Sequence, residues 1–246
     1  MKSVRNALRV FEEVAARQPV GLSELARRLD LPKASVQRAL TTLEGAGWLR
    51  HDLTQPGLWV VTARFSVLAD ASPSVIAARD AARPVLQTLR LEVDGAPGLF
   101  VLDGDRMVLL AGPEETMLRT LDAELGPLPV HVSAAGRAIL SRLPEPTVEA
   151  ILAHAVPDDP ALLERVRVAV ADAGRLGYAV VDGEYRGEMG VVAAAVLDGE
   201  SDPVAALVMM VDADQLAGGG ARRIGAAVVQ AAAAVTSAMT DHRAPV

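Results

Sequence analysis

The chain has 246 residues, 51% of them hydrophobic and only 3% aromatic, so a large core must be filled by Ala, Val and Leu. There is no cysteine, which excludes disulfides, thiolate metal sites and cysteine nucleophiles. The net charge of −7 argues against nucleic acid, but residues 1–72 hold 10 Lys and Arg against 7 Asp and Glu, while residues 73–246 hold 14 against 24, a basic head before an acidic body.

Residues 4–17 read as a first helix, capped by Ser3 and ended by Gln18-Pro19, with Val4, Leu8, Phe11 and Val14 (or Ala15) as its buried stripe. Two short helices follow. Leu22, Leu25, Ala26 and Leu29 make one apolar stripe, with Ser23 as N-cap, and Val36, Leu40 and Leu43 make the second, which begins after Pro32. Gly45-Ala46-Gly47 stops the second helix, with Gly47 as its C′ residue. Residues 48–50 and 58–61 then read as two strands around a turn at 53–57. Helix, turn, helix and two-stranded wing form a winged helix-turn-helix over residues 1–61, a module that sets one helix in the DNA major groove. Residues 62–73 read as a linker helix with Phe65 and Leu68 on one side, broken at Ser72-Pro73-Ser74.

Residues 74–246 read as one α+β domain. A long helix over 76–92 contains Pro84, which should start a helix or kink one. Apolar strands at 99–102 and 107–111 flank the turn Asp103-Gly104-Asp105-Arg106. Further strands are expected at 117–121 and 128–132, and helices at 134–143, 145–154 and 161–176. Strands at 178–181, 190–197 and 204–211 follow, the last two joined by a polar turn at 198–202. Asp214 or Gly220 opens a final Ala-rich helix to about Met239.

The second helix of the helix-turn-helix exposes DNA-reading side chains. Lys33 suits a phosphate, Ser35 a phosphate or a base edge, Gln37 suits adenine, and Arg38 suits guanine, with Thr41 and Thr42 one turn on. Arg27 and Arg28 on the preceding helix are candidates for backbone contacts. His51, Thr54 and Gln55 in the wing are candidates for the minor groove or a phosphate. The alternative for each is a solvated surface side chain.

With these elements placed, the sequence resembles the IclR family of bacterial transcription regulators. The N-terminal match is LPKASVQRALTTLEGAGWL; further matches are ARPVL at 82–86, HVSAAGRAILSRLP at 131–144 and GYAVVDGEYRGEMGVVAAAV at 177–196. The resemblance implies an N-terminal domain that binds a double-stranded operator as a dimer. It also implies a linker helix and a GAF/PAS-like C-terminal domain that binds a small-molecule effector, in dimers or tetramers. Asp30 stands in the turn where the family often has Gly, and Asp tolerates the left-handed conformation.

The effector positions depart further. Val191, Val208 and Met210 stand where family pockets often have Cys or Ser, Val181 replaces the first Asp of a common pair while Asp182 remains, and Ala195 replaces Pro. The surviving polar element is the helix start at Ser133, Ala134, Ala135 and Gly136, whose N–H groups suit an anionic or carbonyl oxygen. With Phe100, Leu109 and Met189 these positions form an apolar wall that suits an aromatic acid or amide, or else ordinary core.

No cofactor or metal is expected. His131, His154 and Asp158 lack ligand spacing, Gly218-Gly219-Gly220 lacks a phosphate-loop fingerprint, and the acidic pairs Glu114-Glu115, Asp158-Asp159 and Glu184/Glu188 read as solvated charge. The N-terminus is charged rather than signal-like, and no apolar run reaches the roughly 18–20 residues that span a bilayer. The expectation is a cytoplasmic, ligand-responsive regulator, most simply a repressor of a catabolic or metabolic operon. The rivals are a ligand-blind architectural protein and a hydrolase-like enzyme, the latter without any nucleophile–base set.

Overall fold

The computed structural model describes residues 2–64, 73–112, 128–156, 158–183 and 189–241. They fall into two units, residues 1–72 and 73–246. The expected linker helix with Phe65 and Leu68, the strand at 117–121, Glu114-Glu115 and Glu184/Glu188 lie outside the described residues.

In the first unit, α1 (Lys2–Arg17) leads to β1 (Val20–Gly21), α2 (Leu22–Leu29), α3 (Lys33–Gly45), β2 (Leu49–His51) and β3 (Leu58–Val61). The apolar stripes of α2 and α3 meet α1 in one core, where Val10, Val14, Leu25, Val36 and Leu40 have no exposure. The stripe of α1 differs from the expected one. Val10 and Val14 are buried and Ala7 and Phe11 half-buried, whereas Val4 and Leu8 are 64% and 55% exposed. Apolar residues at 4, 7, 8, 10, 11 and 14 allow two overlapping stripes, and packing on α3 selects the second.

Ser3 and Ser23 are not caps. Ser3 lies inside α1, and α2 begins directly after Gly21, whose backbone is extended because β1 pairs there with β3. The turn between α2 and α3 places Asp30 at φ 51°, ψ 48°, the left-handed conformation that Asp was expected to tolerate. Arg9 reaches across from α1 to donate to the Leu29 carbonyl at 3.1 Å, giving a donor to an acceptor that α2 leaves without an intrahelical partner at its end. Gly47 at φ 78° ends the turn after α3.

The second unit is a six-stranded antiparallel sheet with helices on both faces. Its elements are α4 (Pro73–Glu92), β4 (Ala96–Asp103), β5 (Arg106–Ala111), β6 (Leu128–Pro129), α5 (Ala134–Leu140), α6 (Glu145–Ala155) and α7 (Pro160–Leu176). β7 (Ala179–Asp182), β8 (Met189–Leu197), β9 (Pro203–Asp212), a 3-10 turn (Ala213–Gly219) and α8 (Gly220–Asp241) complete it. Spatially the strands run β6-β5-β4-β9-β8-β7. One face carries α4 and α8 over Leu99, Val192, Leu207 and Met209; the other carries α5, α6 and α7 over Phe100, Ala193, Ala206 and Val208. This is the two-sided packing of an α+β domain. Pro84 lies within α4, which continues through it. α5 ends at Leu140 rather than 143, and of the strand expected at 128–132 only Leu128–Pro129 pairs. Of the two expected starts for the final helix, Gly220 is the observed one.

Candidate DNA-binding and effector sites

Burying Val36, Ala39 and Leu40 turns the opposite face of α3 to solvent. Lys33, Gln37, Arg38, Thr41 and Thr42 are exposed there and Ser35 is half-buried. Within that face Gln37 Nε2 donates to Thr41 Oγ1 at 3.4 Å, Arg38 to Ser35 Oγ at 3.3 Å, and Thr42 Oγ1 to the Arg38 carbonyl at 2.8 Å. The first two contacts are long, so neither holds the Gln37 or Arg38 side chain strongly to α3. Arg27 is exposed on α2. Arg28 lies beside it but is engaged by Glu24 at 2.9 Å and approaches Glu13 at 3.8 Å, so a phosphate must compete with two carboxylates for it.

His51 packs its ring on Trp59, 3.9 Å between centroids, with Nε2 3.9 Å from a Glu44 carboxylate oxygen. The wing is braced by residues that the sequence did not single out. Gln18 accepts from the Val61 N–H at 2.7 Å, Thr62 donates to the Gly47 carbonyl at 2.7 Å, and Arg64 donates to the Ala46 carbonyl while its guanidinium lies over Trp48. These are long-range pairings with no periodic signal in the chain.

At the wing's tip a single oxygen of Asp52 accepts from the Thr54 hydroxyl, the Thr54 N–H and the Gln55 N–H at 2.7, 2.7 and 2.8 Å. Those bonds, led by the Thr54 hydroxyl, hold the Asp52 carboxyl below its ordinary value, with Arg50 adding a smaller pull. A carboxyl with a depressed folded value stabilises the loop above its unfolded value and loses that contribution as pH falls through the folded one. Protection of the Thr54 and Gln55 amides, measured against their unstructured exchange rates, is therefore expected to hold through the neutral range and to fall below the ordinary carboxylate range. In Asp52→Asn the acid-induced step should vanish; an identical step in that variant would assign it to another group.

In the second unit, antiparallel register puts the expected wall on one face of the sheet. Val191 pairs with both Met210 and Val181, Val208 with both Gly98 and Ala193, and Phe100 with both Leu109 and Ala206. Met189, two residues before Val191, falls on the same face. Phe100 and Val208 are buried, whereas Leu109, Met189, Val191 and Met210 are half-buried. Asp182 does not join them. It pairs with Gly190 and is exposed, on the face opposite Val181, because successive strand residues alternate sides.

The start of α5 abuts this wall. Ser133 Oγ accepts from the Gly136 N–H at 2.9 Å, so that donor is already satisfied within the helix. Ala134, Ala135 and Gly136 are all buried. A Cβ added at Gly136 would lie 2.0 Å from the Val130 carbonyl oxygen, so this glycine is where α5 presses on the preceding backbone. Beside it Arg137 is 7% exposed and donates to the His131 carbonyl at 3.3 Å. Burial, with Arg106 and Arg137 nearby, holds the His131 imidazole below its ordinary value, towards the neutral form. No group of three or more His, Asp or Glu among the described residues is placed to hold a metal ion. No helix among them is long and apolar enough to cross a membrane.

A winged helix-turn-helix with an exposed polar α3, followed in the chain by an α+β domain, defines a two-domain transcription regulator. Residues 3–53 match the IclR helix-turn-helix domain, and residues 73–237 match the bacterial transcriptional regulator IclR C-terminal domain. The chain belongs to the IclR family. It is similar to the acetate operon repressor of Salmonella typhimurium, 28% identical over 99% of this chain and 92% of that one, and to the transcriptional repressor IclR of Escherichia coli, 27% identical with the same coverage. Among solved structures it resembles an IclR homolog from Microbacterium hydrocarbonoxydans complexed with 4-hydroxybenzoate. That likeness has a TM-score of 0.68 and 20% identity over 96% of this chain and 98% of that chain.

Proposed function

We propose that this regulator is a repressor acting as a dimer or tetramer in the cytoplasm. It releases its operator when a small organic acid or amide with an apolar body occupies the second unit. Gln37 and Arg38 read bases, Lys33, Ser35, Thr41 and Arg27 hold the backbone, and Arg28 and His51 support them at the edge of the contact. The observation that carries the effector reading is the half-buried group Leu109, Met189, Val191 and Met210 on the sheet face that α5 also covers. An apolar ring fits against such side chains, and a carboxylate or carbonyl oxygen suits the first-turn N–H groups of Ala134 and Ala135, which precede the helical ladder. The 4-hydroxybenzoate of the Microbacterium homolog is an amphiphile of this class. A second reading has its own support: with Ser133 bonded to Gly136, and Ala134, Ala135 and Val208 buried, the pocket has closed into core and DNA binding is ligand-blind.

The test uses the full chain and a duplex enriched by it from a random pool. Gln37→Ala should lower affinity for that duplex about tenfold, since a lost base pairing is worth roughly 1–3 kcal/mol. Benzoate-type acids and amides should raise the melting temperature and release the duplex. Val191→Glu should abolish both ligand effects while DNA affinity holds. Equal loss of ligand response and fold would assign Val191 to core, and no ligand effect across the series would favour the ligand-blind reading. Unchanged affinity in Gln37→Ala would remove α3 from base reading.

A further inference from the structure

The turn between α3 and the wing is held from both sides. Its three N–H groups point back into α3: Ala46 donates to the Thr42 carbonyl at 3.0 Å, Gly47 to the Glu44 carbonyl at 2.8 Å and Trp48 to the Leu43 carbonyl at 2.8 Å. Its three carbonyls receive the chain that leaves the wing. Trp48 accepts from the Thr62 N–H at 3.0 Å, Gly47 from the Thr62 hydroxyl at 2.7 Å, and Ala46 from Arg64 Nη1 at 2.7 Å. The Arg64 guanidinium also lies 5.1 Å from the centre of the Trp48 ring, which meets Phe11 of α1 in a T-shaped pair, 5.7 Å between centroids. Gly47, at φ 78°, leaves the side open from which Arg64 approaches, since a Cβ there would stand 3.4 Å from Nη1.

Helix capping does not account for Arg64. The N–H groups of residues 46–48 already serve the carbonyls in the last turn of α3, and Arg64 is exposed, where a hydrogen bond adds little to stability. Its effect is directional. β3 ends at Val61, yet Thr62 and Arg64 are tied to the end of α3 instead of leaving it. The recognition helix and the point where the chain departs for the second unit therefore turn as one piece.

We propose that Arg64 is a positioning residue for operator spacing: by locking the exit of the chain to α3, it restricts the separations and phases at which two copies of this head sit on one duplex. This rests on the reading of the protein as a dimer with α3 as recognition helix. Each base pair added between half-sites turns the second one by about 35° around the duplex. A stiff exit cannot follow that rotation, whereas a loose one follows it but holds the second head at a lower effective concentration.

The test uses the full chain on three duplexes: the one it enriches, the same with two base pairs inserted between its half-sites, and a single half-site. Wild-type protein should bind the lengthened duplex about thirtyfold more weakly than the enriched one. Arg64→Ala should bind the enriched duplex about fivefold more weakly than wild type and lose no more than about threefold on lengthening. On the single half-site the two proteins should agree in affinity and in salt slope, an equality that a damaged fold or a lost phosphate contact would break. Arg64→Lys, which keeps a cation for Trp48 and a donor for Ala46, should recover most of the spacing preference. An unchanged penalty in Arg64→Ala overturns the assignment, and so does parallel weakening on the single half-site, which would make Arg64 a DNA ligand or a prop of the fold. No spacing penalty in wild-type protein rejects the dimer reading and the assignment with it; a penalty that both proteins keep rejects Arg64 alone.

Discussion

Gly136→Ala is expected to destabilise the second unit by about 3 kcal/mol, the upper part of the range for overpacking a filled core. In an open helix the same change is favourable by up to about 1 kcal/mol, because Ala is the better helix former. Sterics reverse the sign here. The new methyl would sit 2.0 Å from the Val130 carbonyl oxygen and 2.7 Å from its carbon, both backbone atoms with no rotamer to yield. That backbone is itself held, since Val130 N–H donates to the Asp105 carbonyl at 2.9 Å. Every residue of α5 is buried, so the helix has no solvent side toward which to retreat. In calorimetry the transition of the second unit should fall by roughly 6–12 °C, at about 2–4 °C per kcal/mol for a unit of this size. Gly45→Ala, where nothing lies within 4 Å, is the control and should not lower the transition of the first unit. An unchanged melt in Gly136→Ala would mean that α5 slides on β6, against the packing described.

The second large effect lies in the head. Leu40→Ala removes a side chain with no exposure from a core shared by Val10, Val14, Leu25, Val36 and Trp59. A buried Leu→Ala change costs about 2–5 kcal/mol. The first unit spans 72 residues, and domains so small hold little stability in reserve. A fall of roughly 10 °C or more in its transition is expected, at about 4–8 °C per kcal/mol for a small domain, together with loss of DNA binding at growth temperature. Gln37→Ala on the same helix should lose DNA affinity with no change in melting. Circular dichroism melts of both variants, read beside anisotropy, separate a folding defect from a recognition defect. A stable Leu40→Ala head that still binds would show that the site collapses without cost.

Much of the fold is legible in the chain because its signals are local. The stripe Leu25, Ala26, Leu29 and the stripe Val36, Leu40 each recur at helical spacing, and both helices stand where that spacing puts them. Apolar runs mark β4, β5, β8 and β9 in the same way. What escaped is long-range. Gly21 rather than Ser23 stands at the cap of α2 because Val20 and Gly21 pair with Trp59 and Leu58, almost forty residues away. Asp182 joins the expected effector positions through its resemblance to a family Asp pair, and strand alternation puts it on the sheet face opposite Val181. The run from Ser133 to Gly136 reads as a helix start whose N–H groups suit an anion; that Ser133 takes up the Gly136 N–H, and that Gly136 lies against the Val130 carbonyl, depends on packing that no local pattern reports.

The order of the sheet bears on what happens when the protein is crowded or heated. The longest strands, β8 and β9, read MGVVAAAVL and PVAALVMMVD, runs that in isolation would zip onto any partner strand. Both sit inside the sheet, and among the described residues its margins are β6 with two residues and β7 with four. Margins that short offer few free backbone groups to a passing chain. Detachment of β7 is therefore the event that matters for shelf life. It needs only four residues to let go, and it bares Gly190–Ala193 of β8, part of an uncharged strand of nine residues, from which aggregates can grow while the rest of the domain is still folded.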